Sequence, residues 1–410
     1  MEIVLGTLEF GAIGGAATYL MTVAGQLQLL GHEVTVFAGD VGELARVAEE
    51  RGVRVVSSED ALPADSDVVY AQDAATAYLL ADRYPDRPQA LCMHTGGSQF
   101  DRWLPPQIPG VVEAVVVLND RLARRAAALA HRAEVVRLRQ PVDLARFAPR
   151  AAIRDAPRDV LLLGNYLSGD RRRLVLRACE EAALECVELG RYGARSSASP
   201  EVEINQVDIV MGHGRSILEA MACGRAAFVY DHAGGDGWVT PSNYSELEAW
   251  NFAYPTRDAR LSPESLAGRL GEYRAAMGST NQDLAQMHHS ASRHAEALVE
   301  LFERLEPKRP AVDAPLRELA RLVRSQWSTE SRALGAAHEA RLLSARLHRA
   351  EVSAAEAEAR VAEAEGARLE AVARYEALVR TPWQRLGSAL ARALERVRTV
   401  ARNRQARRGD

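Results

Sequence analysis

The chain has 410 residues, 47% of them hydrophobic, and a formal net charge of −4. That length suits two domains and an extension, and the charge gives no general reason to expect a nucleic-acid partner. No run of about 18 apolar residues occurs, so no transmembrane helix is expected. Glu2 and Glu9 interrupt the first apolar stretch, which argues against a signal peptide. Cys92, Cys179, Cys186 and Cys223 lack zinc-ligand spacing and read as reduced, mostly buried thiols of a cytoplasmic protein. No metal site is expected. Lys308 is the only lysine, so any phosphate clamp in the folded domains falls to arginine or to backbone N–H groups.

Residues 2–7 read as a strand, and Gly11, Gly14 and Gly15 as a loop. Residues 16–30 read as a helix stopped by Gly31, and 32–37 as the next strand. A glycine loop at a strand's carboxyl end is where α/β folds bind ligands. The spacing is not that of a dinucleotide fingerprint, and Gly14–Gly15 taken alone is as readily structural as functional. Strands are predicted at 53–56, 67–71 and 89–93, with a helix from Ala74. His94 ends the last strand, followed by Thr95-Gly96-Gly97. A histidine there is usually a hydrogen-bonded structural residue, but the position is that of a cleft residue. Phe100 and Trp103 lie in a proline-rich loop, read as loop packing or as a flap over an acceptor. Residues 114–118 and 134–138 read as strands, 120–131 as a helix, and 150–158 as an interdomain hinge.

A strand at 160–163 opens the second domain and leads through Gly164 and Asn165 to Arg171, Arg172 and Arg173 at a helix start. Three cations there oppose the helix dipole, which favours an anion near Arg171. A solvated basic face is the plainer reading for Arg172 and Arg173. Next comes the pattern strand, glycine turn, helix, glycine stop, strand, over residues 207–230. Gly212 and Gly214 flank His213. The free N–H groups of a helix starting near Arg215, Ser216, Ile217 and Leu218 would favour an anion. Ser216 is expected to cap the helix, Arg215 to add a fork suited to phosphate, and Glu219 to accept from a ribose diol. The segment 231–238 reads as a glycine-rich loop on the cleft rim, with His232 or Trp238 near a base or sugar, or simply packed. Residues 261–277 and 282–305 read as helices.

Gly212, Gly214 and the run Leu218-Glu219-Ala220-Met221-Ala222-Cys223-Gly224 resemble the donor-site segment of bacterial family 4-like glycosyltransferases of the GT-B fold. The opening Gly14-Gly15 through Val36 is similar to that family's start. Val142, Asp143, Phe147 and Pro149 are similar to the segment ending its first domain. The family's first donor-site glutamate falls on Met211, and a diphosphate-binding arginine falls on Asn165. The resemblance covers roughly residues 1–305. It implies α/β architecture: two Rossmann-like domains facing across a cleft, 1–150 on the acceptor side and 151–306 for the donor. It also implies a retaining glycosyltransferase that takes a nucleotide-diphosphate sugar as co-substrate, with no cofactor. The acceptor would be a hydroxyl on a glycan or lipid-linked molecule. Gly14, Gly15, Arg171, Gly214, Arg215, Ser216, Ile217, Leu218 and Glu219 would bind the donor, with His94 catalytic beside the reacting sugar.

Residues 307–337 are expected to be a linker. Over 338–380, Leu343, Leu347, Val361 and Leu378 follow a heptad, which predicts a coiled coil and self-association. A lone helix held by Glu–Arg pairs is the alternative. Thr381-Pro382 is expected to interrupt the helix. The segment 381–410 then carries eight arginines against Glu395 and Asp410 and one apolar stripe. It reads as a basic amphipathic helix for a membrane surface or a protein groove. The expected location is cytoplasmic, peripheral at the inner membrane face, in cell-surface polysaccharide or glycolipid synthesis. The competing reading is a non-catalytic nucleotide-sugar-binding or scaffold protein that acts through its tail.

Overall fold

A computed structural model describes residues 1–410 except 12–13, 96–102, 130–131, 165–166, 168, 191–196, 198, 232–233, 254–260, 311–312, 314 and 407–410. The first sheet contains β1 (Glu2–Phe10), β2 (Glu33–Val41), β3 (Arg54–Val56), β4 (Val68–Ala71), β5 (Gln89–Met93), β6 (Ala114–Val117) and β7 (Glu134–Arg137). It is parallel throughout, in the order β3-β2-β1-β4-β5-β6-β7. The second contains β8 (Asp159–Leu163), β9 (Glu185–Leu189), β10 (Ile209–Gly212), β11 (Ala226–Asp231) and β12 (Gly234–Trp238). Its order is β12-β11-β10-β8-β9, parallel except for β12. Strands such as Ala114–Val117 are buried at every residue, as a sheet covered on both faces requires.

The first sheet is covered by α1 (Gly15–Leu29), α2 (Glu43–Glu50), α3 (Ala74–Arg83) and α4 (Asp120–Leu129). Helices α5 (Gly169–Glu181), α6 (Pro200–Ile204), α7 (Arg215–Ala222), α8 (Tyr244–Ala249), α9 (Pro263–Leu270) and α10 (Ala276–His288) belong to the second. Then α11 (Ala291–Arg304) returns to the first sheet, where Ala295, Leu298, Leu301 and Phe302 enter its core. In the opposite direction Val142 and Phe147 already pack in the second core, so the segment expected to end the first domain belongs physically to the second.

The two crossings are stitched together. Val142 N donates to His289 O at 2.8 Å, and Ala291 N to Val142 O at 3.0 Å. His289 Nδ1 donates to Gln140 O at 2.7 Å, which leaves Nε2 to accept from Tyr244 OH at 2.7 Å. Likewise His294 Nδ1 donates to Arg139 O at 2.9 Å and Nε2 accepts from Tyr19 OH at 2.9 Å. Tyr19 has then spent its proton, so Tyr70 OH donates to it at 2.7 Å. The expected helix 282–305 is therefore two helices. Ser290 caps the second by accepting from Arg293 N.

The tail differs from expectation. Helix α12 runs unbroken from Leu316 to Ala406, so most of the supposed linker 307–337 is helical and Pro382 lies inside the helix. Pro382 removes one N–H donor, yet the surrounding run of good helix formers carries on through it. Residues 1–327 form one unit and 328–410 another. Within the first, Leu316 and Ala320 join the core beside Val111 and Val117, and Trp327 is 2% exposed. Within the second, Leu343, Leu347, Val361, Leu378, Trp383 and Leu386 are exposed along the helix. Trp327→Ala should cost about 3–5 kcal/mol in urea unfolding. Trp383, 70% exposed, should tolerate alanine to within about 0.5 kcal/mol. Equal effects would refute the assignment of 316–327 to the core.

Candidate functional site

Strand β10 delivers its last residue, Gly212, against β8. A Cβ there would stand 2.6 Å from Leu163 O, so only glycine fits without backbone movement. Gly214 has φ +59° and occupies the cap position of α7, with no side-chain cap. Ser216, expected as the cap, is instead in the first turn. Ile217 and Leu218 point into the second core. Ile217 N bends back to Gly214 O at 3.1 Å. The N–H groups of Arg215 and Ser216 find no acceptor among the described residues.

Arg215 reaches out of this turn to the other domain. Its Nη2 donates to Thr22 Oγ1 on α1 at 2.9 Å and its Nη1 to Pro141 O at 3.2 Å. Nε donates to Glu219 Oε1 at 2.8 Å. Burial raises the Glu219 carboxyl above its usual range, with the Arg215 charge opposing. Glu219 is thus engaged by Arg215. Gly14 caps α1 and Gly15 begins it, and a Cβ at either would meet open space.

His94 follows β5 across the cleft. Its Nε2 bonds to Gln72 Oε1, and the Tyr19 ring meets it edge-on at 5.0 Å. Burial, and then the charge of Arg215, push its pKa down to about 3. His94 and Arg215 therefore share one electrostatic environment although they belong to different domains. Trp103 lies 6.2 Å from His94 and 5.1 Å from Trp327, whose Nε1 donates to Glu9 Oε1 at 2.6 Å. Gly96, Gly97 and Phe100 lie outside the described residues.

A recess of about 380 Å³ opens at the carboxyl ends of β8 to β11, lined among others by Leu163, Leu167, Glu188, Met211 and His213. Glu188 is held by Arg172 at 2.5 and 2.6 Å, and Arg173 pairs with Asp170. Arg171 has no bond partner among the described residues, which leaves it the available cation at the start of α5. Asn165 and His232 fall outside the described residues. The expected loop 231–238 is largely the antiparallel strand β12. Trp238 is core: it packs on Phe228 and donates to Arg269 O at 2.8 Å.

Thr22, Gln72 and Glu188 were not foreseen. Gln72 was findable, since it directly follows a predicted strand, as His94 does. Thr22 was not, because its partner lies 193 positions away.

Two parallel-sheet domains across a cleft, with a helix returning from the second to the first, define the GT-B fold. The chain matches no protein family and no curated protein sequence. Among solved structures it is similar to Anabaena HepE in complex with UDP and glucose, at 14% identity and TM-score 0.53, over 74% of this chain and 100% of that one. It is similar also to a point mutant of S. aureus TarM in complex with Fondaparinux, alpha-GlcNAc-glycerol and UDP, at 9% identity and TM-score 0.51, over 74% and 100%. These likenesses establish the fold.

The buried histidines give the fold a pH signature. Burial lowers His289 to about 3 and His294 to about 4. In the unfolded chain histidine takes its proton near pH 6.5. Below that the unfolded state binds protons that the native state refuses, so stability falls as pH drops through about 6.5 to 4. Asp73, raised to about 6 by burial, acts oppositely in part of this window, against the three buried histidines His94, His289 and His294. The unfolding free energy from urea titration should be lower at pH 5 than at pH 7, by roughly 2 kcal/mol per buried histidine before that offset. A flat profile would contradict the neutral state of the buried histidines.

Proposed function

We propose that this chain is a glycosyltransferase that moves a sugar from a nucleotide-diphosphate donor to a hydroxyl acceptor. The observation that carries the reading is the α7 tip: two N–H groups with no acceptor among the described residues and Arg215, beyond a left-handed Gly214, at the carboxyl edge of a GT-B sheet. Such a tip favours a diphosphate, most of all when the charge grows on the leaving group. The N–H groups and Arg215, with Arg171 at the start of α5, would neutralise it without a metal. Glu219 would turn from Arg215 to the ribose, and His94 would face the reacting sugar from the first domain. Retention of configuration and a role in cell-surface polysaccharide or glycolipid synthesis belong to the same proposal.

UDP is present in the HepE and TarM structures, so UDP-sugars lead the panel for calorimetry. Arg215→Ala and Glu219→Ala should each weaken nucleotide binding at least about tenfold, or ~1.4 kcal/mol. Unchanged affinity in both would reject the site. The scaffold reading draws on Met211, which brings an apolar side chain to the recess, and on the Arg215–Glu219 pair, whose charges offset each other. Turnover of a labelled nucleotide sugar by the pure protein would exclude it.

The tail extends the proposal. Residues 338–380 would pair with a second copy of the chain, and the basic, apolar-striped 381–410 would hold the protein at an anionic membrane face. Sedimentation with phosphatidylserine-containing liposomes should pellet the full chain and leave a 1–380 form in solution. Equal pelleting would remove the membrane role.

A further inference from the structure

Gln72 follows β4 in the first domain. Its backbone is pinned at both ends: its N–H donates to Gly6 O at 2.8 Å, and the next residue, Asp73, caps α3 by accepting from Thr76 N at 2.8 Å. The side chain is 1% exposed. Strands β4 and β5 are parallel neighbours with Ala71 opposite Leu91, so Gln72 comes level with Cys92 and its side chain reaches His94 two residues further on, at the same edge of the sheet. The amide oxygen has only lone pairs, so the imidazole nitrogen facing it must carry the proton. A neutral imidazole has one N–H, and Nδ1 is then left with a lone pair. Nothing among the described residues donates to that nitrogen. Tyr19 gives its proton to His294, and Arg215 adds only positive charge. Gln72 Nε2 is itself buried without a partner.

We propose that Gln72 is a positioning residue that fixes His94 with its proton on Nε2 and thereby presents Nδ1 as a hydrogen-bond acceptor to hydroxyls in the cleft. An amide does this differently from a carboxylate. It orients the ring without stabilising the imidazolium, so His94 accepts a hydrogen bond and does not take the proton. The role toward substrate hydroxyls rests on the glycosyltransferase reading. The tautomer does not.

The test uses the full chain labelled with nitrogen-15 histidine, with His94 assigned by comparison with His94→Gln. At pH 7 the wild type should show only the Nε2–H form, and Gln72→Leu should show both tautomers. Gln72→Glu should keep Nε2–H and raise the protonation midpoint of the ring by more than about one pH unit. Among the described residues the titratable groups facing that ring are Tyr19 and Arg215, which both variants retain. An Nδ1–H form in the wild type, or a Gln72→Leu spectrum identical to it, overturns the proposal. If Gln72→Leu fails to fold, the Gln72→Glu titration decides, and an unmoved midpoint is the overturning result. With a donor found by the binding panel, Gln72→Leu should lower kcat/KM about tenfold. A chain that binds no nucleotide sugar would sink the glycosyltransferase reading and leave the tautomer assignment standing.

Discussion

The guanidinium of Arg215 is the interaction on which the two halves of the cleft depend. It sits in the first turn of α7, where the helix dipole disfavours a cation by a few tenths to about 1 kcal/mol. Three acceptors offset that cost: Glu219 one turn on, Thr22 on the first domain, and Pro141 O where the chain crosses over. The same charge helps keep His94 neutral. One side chain thus links the two domains, lowers the pKa of the facing histidine and pairs with the buried carboxylate of Glu219.

The crossings explain why that arrangement holds its register. His289 and His294 each donate to a backbone carbonyl of residues 139–140 and accept from a tyrosine hydroxyl, one on each domain. A protonated ring would lose its acceptor nitrogen, so these joints depend on neutral histidine. The domains therefore meet through directional bonds rather than through apolar area alone. Leaving any of these buried groups unpaired would cost about 1–3 kcal/mol, which is what keeps the crossings in place.

Much of this was legible in the sequence because it is local. Apolar runs with β-branched residues marked the strands, and the glycines around His213 marked the turn and the start of α7. What escaped was non-local or compensated. The break at His289 shows no glycine or proline. It exists because Ser290 caps a helix whose apolar face belongs to the other sheet. The glycines of 234–237 read as a loop, but Trp238 anchors them as an edge strand by packing on Phe228. The start of α12 looked like a linker until Trp327 found Glu9, 318 positions away. In the site, the residue types were readable and their present partners were not. Glu219 was expected to be open to a ribose, and Arg215 occupies it.

That last difference has an energetic consequence. Glu219 and Arg215 are both largely buried, so neither can part from the other without a replacement partner of opposite charge or equal hydrogen-bonding capacity. A diphosphate supplies the first to Arg215 and a ribose diol the second to Glu219. A free phosphate would satisfy the arginine and strand the carboxylate, and a nucleoside would do the reverse. In the donor site we propose, a ligand that separates the pair would carry both groups, as a nucleoside diphosphate does and neither of its parts does.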